Sequence, residues 1–216
     1  MKKIKIAIQG ELGAYSHIAV NELYKDAEIK TCATFEETFK QAYEDADYKI
    51  IIPIENSLAG RVADIHYLLP KYKLQIHGEY FLNVEHNLLC KTSATFDDIK
   101  YVRSHAQAIG QCQKIINKNK FQPIVSADTA GSAKELAEGE DKSIAAIASA
   151  LSAKIYKLKI LEKNIEDEKG NVTRFLIMGK NIEQPEFVKD KKFITSCIFR
   201  VKSEPSALYK CLGGFA

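Results

Sequence analysis

Short apolar runs alternate with amphipathic segments through the first third of the chain. The runs IKIAIQG, EIKTCA and YKIIIPI have the length and composition of buried strands. After each run, apolar residues recur at helical spacing: Ile18, Val20, Leu23 and Tyr24, then Phe35, Phe39, Ala42 and Tyr43, then Val62, Ile65, Leu68 and Leu69. Thr34 and Glu37 have capping-box spacing at the start of the second helix. Strands that alternate with helices predict a parallel α/β sheet.

The pattern changes at residues 73–92, where the runs LQIHGEYFLN and VEHNLLC follow each other without a helix between them. We interpret this stretch as a crossing between two lobes. Beyond it, a short helical turn opens at Thr95, and the strands YVRS, PIVSA and SIAAIAS alternate with the helices HAQAIGQCQKIINK and DTAGSAKELAEG. The turn-rich EKNIEDEKGN then returns the chain, and VTRFLIMG adds a strand to the first lobe. The predicted first lobe is residues 1–80 plus 165–179, and the second is 81–164.

After Gly179 the chain becomes polar and contains proline, which predicts a linker at residues 180–192. Apolar and polar residues then alternate in FITSCIFRV, as in a half-buried strand. SEPSALYKCLGGFA predicts a helix that begins near Pro205. One strand and one helix cannot cover both of their faces alone. Residues 193–216 are therefore either the start of a further domain or a packing element.

Composition narrows the class of protein. Of the 216 residues, 46% are hydrophobic and 27% are charged, which is typical of a globular protein and excludes a disordered chain. The net charge of +3 is too small for a nucleic-acid-binding surface. The basic opening is followed by too short an apolar segment for a signal peptide, and no stretch reaches the ~20 residues of a membrane span, so we expect a cytoplasmic protein.

Cysteine and histidine do not cluster along the chain. The 5 Cys have no C-x-x-C spacing, and the 5 His lie far apart. We therefore expect the cysteines to be small buried hydrophobic residues and expect no metal site.

Polar stretches follow the strands at the positions where ligands bind in parallel α/β units. In GELGAYS, Gly10 and Gly13 allow a turn that, with Ser16, either binds an anion at a helix start or is an ordinary turn. In PIENS, Glu55, Asn56 and Ser57 place an acceptor, an amide and a hydroxyl side by side, although a helix cap needs only one of them.

Two further stretches are open to a structural or a functional reading. SHAQAIGQC contains Ser104, His105, Gln107 and Gln111, which form either a binding site or a serine cap with solvated amides. DTA is an adequate helix cap. We expect His86 and Asn87 to make structural hydrogen bonds where the chain crosses between lobes.

Taken together, these motifs closely resemble the prephenate dehydratase family. The resemblance runs through GELGAYS, PIENSLAG, EHNLL, SHAQAIGQC and AAIAS to the highly specific IEDEKGNVTRF. The tail FRVKSEPSALYKCLGGFA is similar to the opening of the ACT regulatory domain of that family. The sequence departs from the family pattern at Ala14, usually Thr, and at Ala106, usually Pro. These changes remove one hydroxyl and relax one loop, so they concern affinity more than reaction type.

The resemblance implies a fold and an activity. The fold is a two-lobed α/β catalytic domain at residues 1–179, similar to type II periplasmic ligand-binding proteins, with its active site in the cleft, followed by an incomplete ACT domain at residues 193–216. The activity is the conversion of prephenate to phenylpyruvate, CO2 and water in phenylalanine biosynthesis, without a cofactor. Arogenate dehydration and ligand binding without catalysis are the alternatives.

The resemblance also implies partners. A homo-oligomer, dimer or tetramer, is expected. Phenylalanine regulates the full-length family, and the short ACT segment predicts that this chain is insensitive to it. No nucleic acid and no membrane are expected as partners.

The resemblance assigns roles to particular residues. Thr173, of T-R-F, is the catalytic residue and would donate a hydrogen bond to the departing oxygen, with Glu55 or His105 as the source of the proton. Arg174 is either a carboxylate clamp or a structural support, and strand alternation predicts that it points away from Thr173. The predicted substrate-binding set is Ser16, Glu55, Asn56, Ser57, Ser104, His105, Gln111, Asn171, Arg174 and Phe175.

Overall fold

The computed structural model describes residues 3–181, 186–193, 195 and 199–215. The chain divides into two compact units, Met1–Ile182 and Glu183–Ala216. The described strands, in chain order, are β1 Lys5–Gln9, β2 Glu28–Cys32, β3 Tyr48–Asn56, β4 Gly60–Arg61, β5 Gln75–Asn83, β6 Asn87–Cys90, β7 Tyr101–His105, β8 Gln122–Ser126, β9 Ile144–Ala148, β10 Lys159–Glu162 and β11 Val172–Gly179. The described α-helices are α1 Tyr15–Leu23, α2 Phe35–Glu44, α3 Ala63–Tyr72, α4 Ala106–Gly110, α5 Gln113–Asn119, α6 Thr129–Glu138, α7 Ala150–Ile155 and α8 Ala207–Gly213.

The first lobe is built on a sheet with the strand order β2-β1-β3-β11-β5, with β4 paired to β3. Strands β1, β2 and β3 are parallel, as predicted. The returning strand β11 runs antiparallel to both β3 and β5, a direction that the sequence pattern did not predict. The reason is that β11 enters from the second lobe at the cleft, where β3 ends. As a result Thr173, near the start of β11, pairs with Asn56, at the end of β3.

The second lobe is built on a sheet with the order β10-β6-β9-β7-β8. Strand β7 is parallel to β8 and β9, whereas β6 is antiparallel to β9 and β10. The crossing strand β6 thus enters the second sheet in the opposite direction to its neighbours. Both sheets are therefore mixed, with a parallel portion formed by the strand-helix repeats.

Each sheet has a hydrophobic core on both faces. In the first lobe, Phe39 and Ile50 lie in the cluster on one face and Ile8 and Phe175 lie in the cluster on the other. Two further clusters cover the faces of the second sheet. Tyr43, expected in the buried stripe of α2, is 48% exposed. Its ring instead stacks edge-on against Tyr72 of α3.

The lobe boundaries differ slightly from the predicted ones. Strand β5 runs to Asn83, so residues 81–83 belong to the first sheet because they pair with β11. Ile165 packs in a core cluster of the second lobe, past the expected end of that lobe at residue 164.

The long helix predicted at residues 105–118 is broken into α4 and α5. At the break, the backbone oxygen of Gln111 accepts a hydrogen bond from the backbone N–H of Asp167 at 2.7 Å. The Asp167 carboxylate accepts from the backbone N–H groups of Gln113 and Lys114 at the start of α5. A residue distant in sequence therefore caps the second helix, and Gln111 lies at the junction.

In the second unit, α8 begins at Ala207, two residues after the expected start at Pro205. The strand predicted over residues 193–201 includes residues 194 and 196–198, which lie outside the described residues, so it stays a prediction. No helix in the described ranges is long and apolar enough to cross a membrane.

Candidate active site

A cavity of about 450 Å³ lies between the two lobes. The first lobe lines it with the end of β1, the end of β3 and the start of β11, and the second lobe lines it with the starts of α4 and α6. Polar side chains from both lobes meet there, as predicted from the positions of the loops.

Thr173 lies in this cavity and is 9% exposed. It pairs directly with Asn56 across the β3–β11 ladder, so their side chains share a face of the sheet. The Asn56 amide nitrogen Nδ2 donates to the Thr173 hydroxyl oxygen at 2.9 Å. Strand pairing therefore positions the hydroxyl, and Asn56 supplies the neighbouring amide.

The backbone that follows β3 fixes the orientation of Asn56. Its side-chain oxygen Oδ1 accepts hydrogen bonds from the backbone N–H groups of Leu58 at 3.0 Å and Ala59 at 2.8 Å. Because an amide has its acceptor on one side and its donors on the other, Nδ2 must face the neighbouring side chains.

Two further amides continue the chain of hydrogen bonds across the lobe boundary. Asn56 Nδ2 donates to Asn171 Oδ1 at 2.6 Å, and Asn171 Nδ2 donates to Gln111 Oε1 at 2.9 Å. Gln111 belongs to the second lobe and Asn56 to the first. The three amides predicted from the sequence are thus brought together, and all three line the cavity.

His86 and Tyr15 extend this network and were not predicted as site residues. His86 is 3% exposed, lines the cavity, and has its Nε2 atom 2.9 Å from Gln111 Oε1. Its Nδ1 atom lies 2.8 Å from the Tyr15 hydroxyl, which also lies 2.9 Å from the backbone oxygen of Glu85. The signal in the sequence is the histidine in EHNLL, whose predicted role is a structural hydrogen bond where the chain crosses between lobes.

Burial changes the acid–base properties of both residues. Desolvation lowers the pKa of His86, with opposing contributions from Gln111 and Glu166. Desolvation also raises the pKa of Tyr15 well above its ordinary value. Both effects favour the neutral form at neutral pH.

Glu55 and Arg174 are not among the residues that line the cavity, so the structure gives no support to their prediction as substrate-binding residues. They face each other on the opposite side of the sheet, with Arg174 Nη1 3.1 Å from Glu55 Oε1. Arg174 also pairs with Glu79 at 2.7 Å and lies over the Phe81 ring. Because side chains alternate along a strand, a cavity position for Thr173 excludes one for Arg174. The same geometry directs the Glu55 carboxylate toward Arg174 and away from the cavity.

Ser57 and Ser104 also lie outside the cavity lining. The Ser57 hydroxyl donates to the backbone oxygen of Gly170 at 3.0 Å and accepts from the backbone N–H of Val172 at 2.9 Å, which anchors the start of β11. Ser104 is fully buried and donates to the backbone oxygen of Ile147 at 2.7 Å. Both hydroxyls are therefore structural in this fold.

The remaining predicted residues, Ser16, His105 and Phe175, line the cavity. The His105 ring accepts a hydrogen bond from the backbone N–H of Gln107 at 3.3 Å. Two further residues of the lining, Asp128 and Thr129, lie at the start of α6, where Asp128 caps the helix by accepting from the Gly131 N–H at 2.6 Å.

Helix starts give the cavity a positive partial charge. The first turns of α1 and α6 contribute to the lining, and a helix N-terminus carries about half a positive charge, which the capping Asp128 carboxylate offsets at α6. Ala14, at the N-cap of α1, provides no side-chain cap, so backbone N–H groups of that turn are free of a capping side chain. The uncapped start of α1 and the Arg61 guanidinium are therefore the parts of the lining that favour an anionic group, whereas Asp64 and Asp128 are negative.

The loop between β1 and α1 is fastened to the second lobe. The backbone oxygen of Gly13 accepts from the hydroxyls of Ser149 at 2.6 Å and Ser152 at 3.0 Å. Tyr156 donates to the backbone oxygen of Leu12 at 2.9 Å, and Lys134 pairs with Glu11 at 3.0 Å. These contacts hold one wall of the cavity between the lobes.

Among the described residues, no group of three or more His, Cys, Asp or Glu side chains is arranged to hold a metal ion.

The fold and the cavity define a two-lobed α/β protein with a small-molecule site, rich in amide and hydroxyl groups, between its lobes. The chain belongs to the prephenate dehydratase family, whose model matches residues 6–183. The resemblance noted in the sequence and the expected two-lobed α/β fold are thereby confirmed.

Three similar proteins illustrate the family. A bifunctional N-acyl-homoserine lactone acylase/prephenate dehydratase of Komagataeibacter europaeus is 40% identical over 213 residues, covering 98% of this chain and 75% of that protein. The chloroplastic arogenate dehydratase/prephenate dehydratase 2 of Arabidopsis thaliana is 36% identical, and the match covers 99% of this chain and 56% of that protein. Prephenate dehydratase from Staphylococcus aureus, known from a crystal structure, is 25% identical in sequence and superposes with a TM-score of 0.75. The match covers 98% of this chain and 78% of that chain. The chain spans about half the length of the plant relatives, with 54% and 56% in two of them.

Proposed function

We propose that this chain catalyses the decarboxylating dehydration of prephenate to phenylpyruvate. The observation that carries the proposal is the direction of the hydrogen bond between Asn56 and Thr173. Since Asn56 Oδ1 is occupied by two backbone N–H groups, Asn56 must donate to the Thr173 oxygen. The Thr173 proton then has no acceptor among the described residues and is available to a ligand.

A hydrogen-bond donor at this position suits the chemistry of prephenate, which carries two carboxylates and a ring hydroxyl. As the C–O bond to the hydroxyl breaks, the electron pair of the bond to the ring carboxylate moves into the ring, and CO2 departs. The hydroxyl takes up one proton and leaves as water, and the ring becomes aromatic. A donor held in place stabilises the charge that develops on the departing oxygen, without a cofactor.

His105 is the proposed source of the proton. Of the two candidates from the sequence, Glu55 faces away from the cavity and pairs with Arg174, whereas His105 lines the cavity from the second lobe. A positioned general acid contributes roughly 10²- to 10⁴-fold to the rate.

The amides and helix starts supply the proposed binding groups for the two carboxylates. Asn171 and Gln111 line the cavity next to Thr173, and the first turns of α1 and α6 lie on its walls. Arg61 also lines the cavity and adds a cationic group for a carboxylate, a role that Arg174 cannot fill from the opposite face.

Arogenate, the amino analogue, is the alternative substrate. The plant relative is named for both activities. The decisive measurement is turnover of both substrates by the purified chain, with phenylpyruvate detected by its absorbance in alkali and phenylalanine by chromatography. We expect phenylpyruvate formation from prephenate at the higher kcat/KM. A higher kcat/KM for arogenate would identify arogenate as the substrate. Binding of both compounds without turnover would show that the chain is a binding module and not an enzyme.

The relative from Komagataeibacter europaeus is also named an N-acyl-homoserine lactone acylase. Acyl transfer by a hydroxyl nucleophile needs an adjacent base. Among the described residues that line the cavity, no Ser or Thr hydroxyl is hydrogen bonded to a histidine. We therefore propose dehydration as the activity of this cavity. The homo-oligomer and the cytoplasmic location expected from the sequence stay predictions.

A further inference from the structure

The direction of every hydrogen bond in the amide network follows from its fixed end at Asn56. The backbone N–H groups of Leu58 and Ala59 require Asn56 Oδ1 to be the acceptor. Asn56 Nδ2 therefore faces the oxygen of Asn171, and Asn171 Nδ2 faces the oxygen of Gln111. Turning either amide over would place two donors or two acceptors against each other.

This direction extends to His86. Gln111 Oε1 lies 2.9 Å from His86 Nε2, and an oxygen acceptor at that distance requires a proton on the nitrogen. The neutral ring then has its lone pair on Nδ1, 2.8 Å from the Tyr15 hydroxyl, whose single proton is shared between Nδ1 and the Glu85 backbone oxygen at 2.9 Å. The backbone contacts of Asn56 thus determine, through Asn171 and Gln111, that the neutral His86 ring is the Nε2–H tautomer.

We propose that His86, supported by Tyr15, is a positioning residue that holds the Gln111 carbonyl oxygen inside the network and so presents the Gln111 amide N–H groups to the substrate. This inference rests on the proposed function. Gln111 lines the cavity, and its Nε2 atom has no protein acceptor among the described residues. Without His86, the Gln111 oxygen keeps one donor, Asn171, and the side chain is free to turn toward the cavity.

His86 acts through orientation rather than by delivering a proton. Three carboxamides separate it from Thr173, and a carboxamide does not readily exchange protons along its length. The titratable groups around the pair are Glu85 and Glu166, which interact with His86 or Tyr15, and Cys112, which interacts with Tyr15. If His86 became protonated, Nε2–H would still face Gln111 and Nδ1–H would donate to Tyr15, whose hydroxyl would then donate to the Glu85 backbone oxygen.

Nitrogen-15 NMR of the histidine side chains tests the assignment without reference to activity. Long-range proton–nitrogen spectra of the wild-type chain at pH 7.5 distinguish the two neutral tautomers, and the signal lost in His86→Gln identifies the residue. We expect the Nε2–H tautomer, and a change of tautomer population in Tyr15→Phe. A wild-type ring protonated on Nδ1 alone would overturn the inference.

Kinetics test the positioning role. We expect His86→Leu to lower kcat/KM for prephenate at least 10-fold, whereas His86→Gln, which retains an N–H donor at a similar reach, stays within about 5-fold of wild type. Thermal unfolding of each variant checks that it folds, and if His86→Leu does not, His86→Phe takes its place. A His86→Gln variant as impaired as His86→Leu would show that the ring itself acts on the substrate.

A double-mutant cycle separates an effect through Gln111 from an independent one. Gln111→Glu keeps an oxygen acceptor for His86 and Asn171 but removes the N–H donors. We expect His86→Leu to cost less than about 3-fold in that background. If the two losses instead multiply, His86 does not act through Gln111 and the inference is wrong. Wild-type protein that makes no phenylpyruvate would refute the proposed function, while the NMR result would still decide the orientation of the network.

Discussion

At the residue scale, two side chains that are neighbours in sequence have opposite environments. Thr173 faces the cavity and accepts a hydrogen bond from Asn56, whereas Arg174 lies on the other face between Glu55 and Glu79. A regular strand places consecutive side chains on opposite faces. The proposed catalytic role therefore belongs to the hydroxyl, and the arginine contributes to the stability of the sheet.

We expect Thr173→Val to reduce kcat for prephenate by roughly 10²-fold or more, because the isosteric change removes the hydroxyl proton that we propose to stabilise the departing oxygen. Thr173→Ser should retain most of the activity. The readout is the phenylpyruvate assay, and Thr31→Val, at an exposed position on β2, is the matched control. Near-normal turnover by folded Thr173→Val would contradict the assigned role.

Glu55→Gln should leave kcat and its pH profile within about 3-fold of wild type, since its carboxylate pairs with Arg174 outside the cavity. Stability should fall by about 1 kcal/mol or less, the usual value for a partly exposed ion pair. Urea unfolding and steady-state kinetics measure the two effects. Loss of the acidic limb of the pH profile would instead identify Glu55 as the proton source.

At the element scale, the loop between β1 and α1 has a conformation that its contact with the second lobe requires. Gly13 has φ +95°, and a Cβ at this position would lie 2.4 Å from Ser152 Oγ and 2.8 Å from Ser152 Cα. The backbone oxygen of Gly13 also accepts from two serine hydroxyls. Any side chain at residue 13 would therefore push the loop away from α7.

Gly13→Ala is expected to destabilise the protein by about 1–3 kcal/mol more than Gly170→Ala, because overpacking adds to the backbone strain. Gly170 is the matched control, since it has φ +83° but open space where its Cβ would lie. Chemical unfolding of both variants gives the difference. Equal decreases in the free energy of unfolding for the two variants would show that the protein accommodates the contact with Ser152 without a loss of stability.

At the scale of the whole molecule, the cavity joins two lobes that have separate sheets and separate cores. The amide network crosses this boundary through the bond between Asn171 and Gln111, and the Gly13 loop crosses it at α7. A ligand that contacts both walls should consequently stabilise both lobes together.

Phenylpyruvate at a hundredfold excess over its Kd should stabilise the chain by about 2.7 kcal/mol, as binding linkage requires. Hydrogen exchange should slow in the first turn of α1 and in the segment around Gln111, on opposite walls of the cavity. Acetate at equal ionic strength serves as the control ligand. In Asn56→Ala and Gln111→Ala, the protection should weaken, and the unliganded Tm should fall as well because both changes remove hydrogen bonds of the amide network. Protection confined to one lobe would contradict binding between them.

Most strands and helices between residues 3 and 181 could be predicted in their order from the sequence, because apolar periodicity reflects which face of each element is buried, but β4 and β10 were not predicted. The pattern also indicated two lobes and placed the polar loops at their cleft. Periodicity carries no information on strand direction, however, and the antiparallel pairing of β11 depends on where the chain re-enters the first sheet. The break at Gln111 likewise depends on Asp167, which is distant in sequence.

The sequence by itself determined which residue types were available to the site: a threonine, three amides and a histidine in strand-end loops. Only the tertiary structure decided which of them share a cavity, since Glu55, Ser57, Ser104 and Arg174 stand in equally polar motifs and point elsewhere. The structure also brought in His86 and Tyr15, which are 71 residues apart. The tertiary structure also decides the direction of each hydrogen bond, because an amide's orientation depends on the partners that folding brings to it.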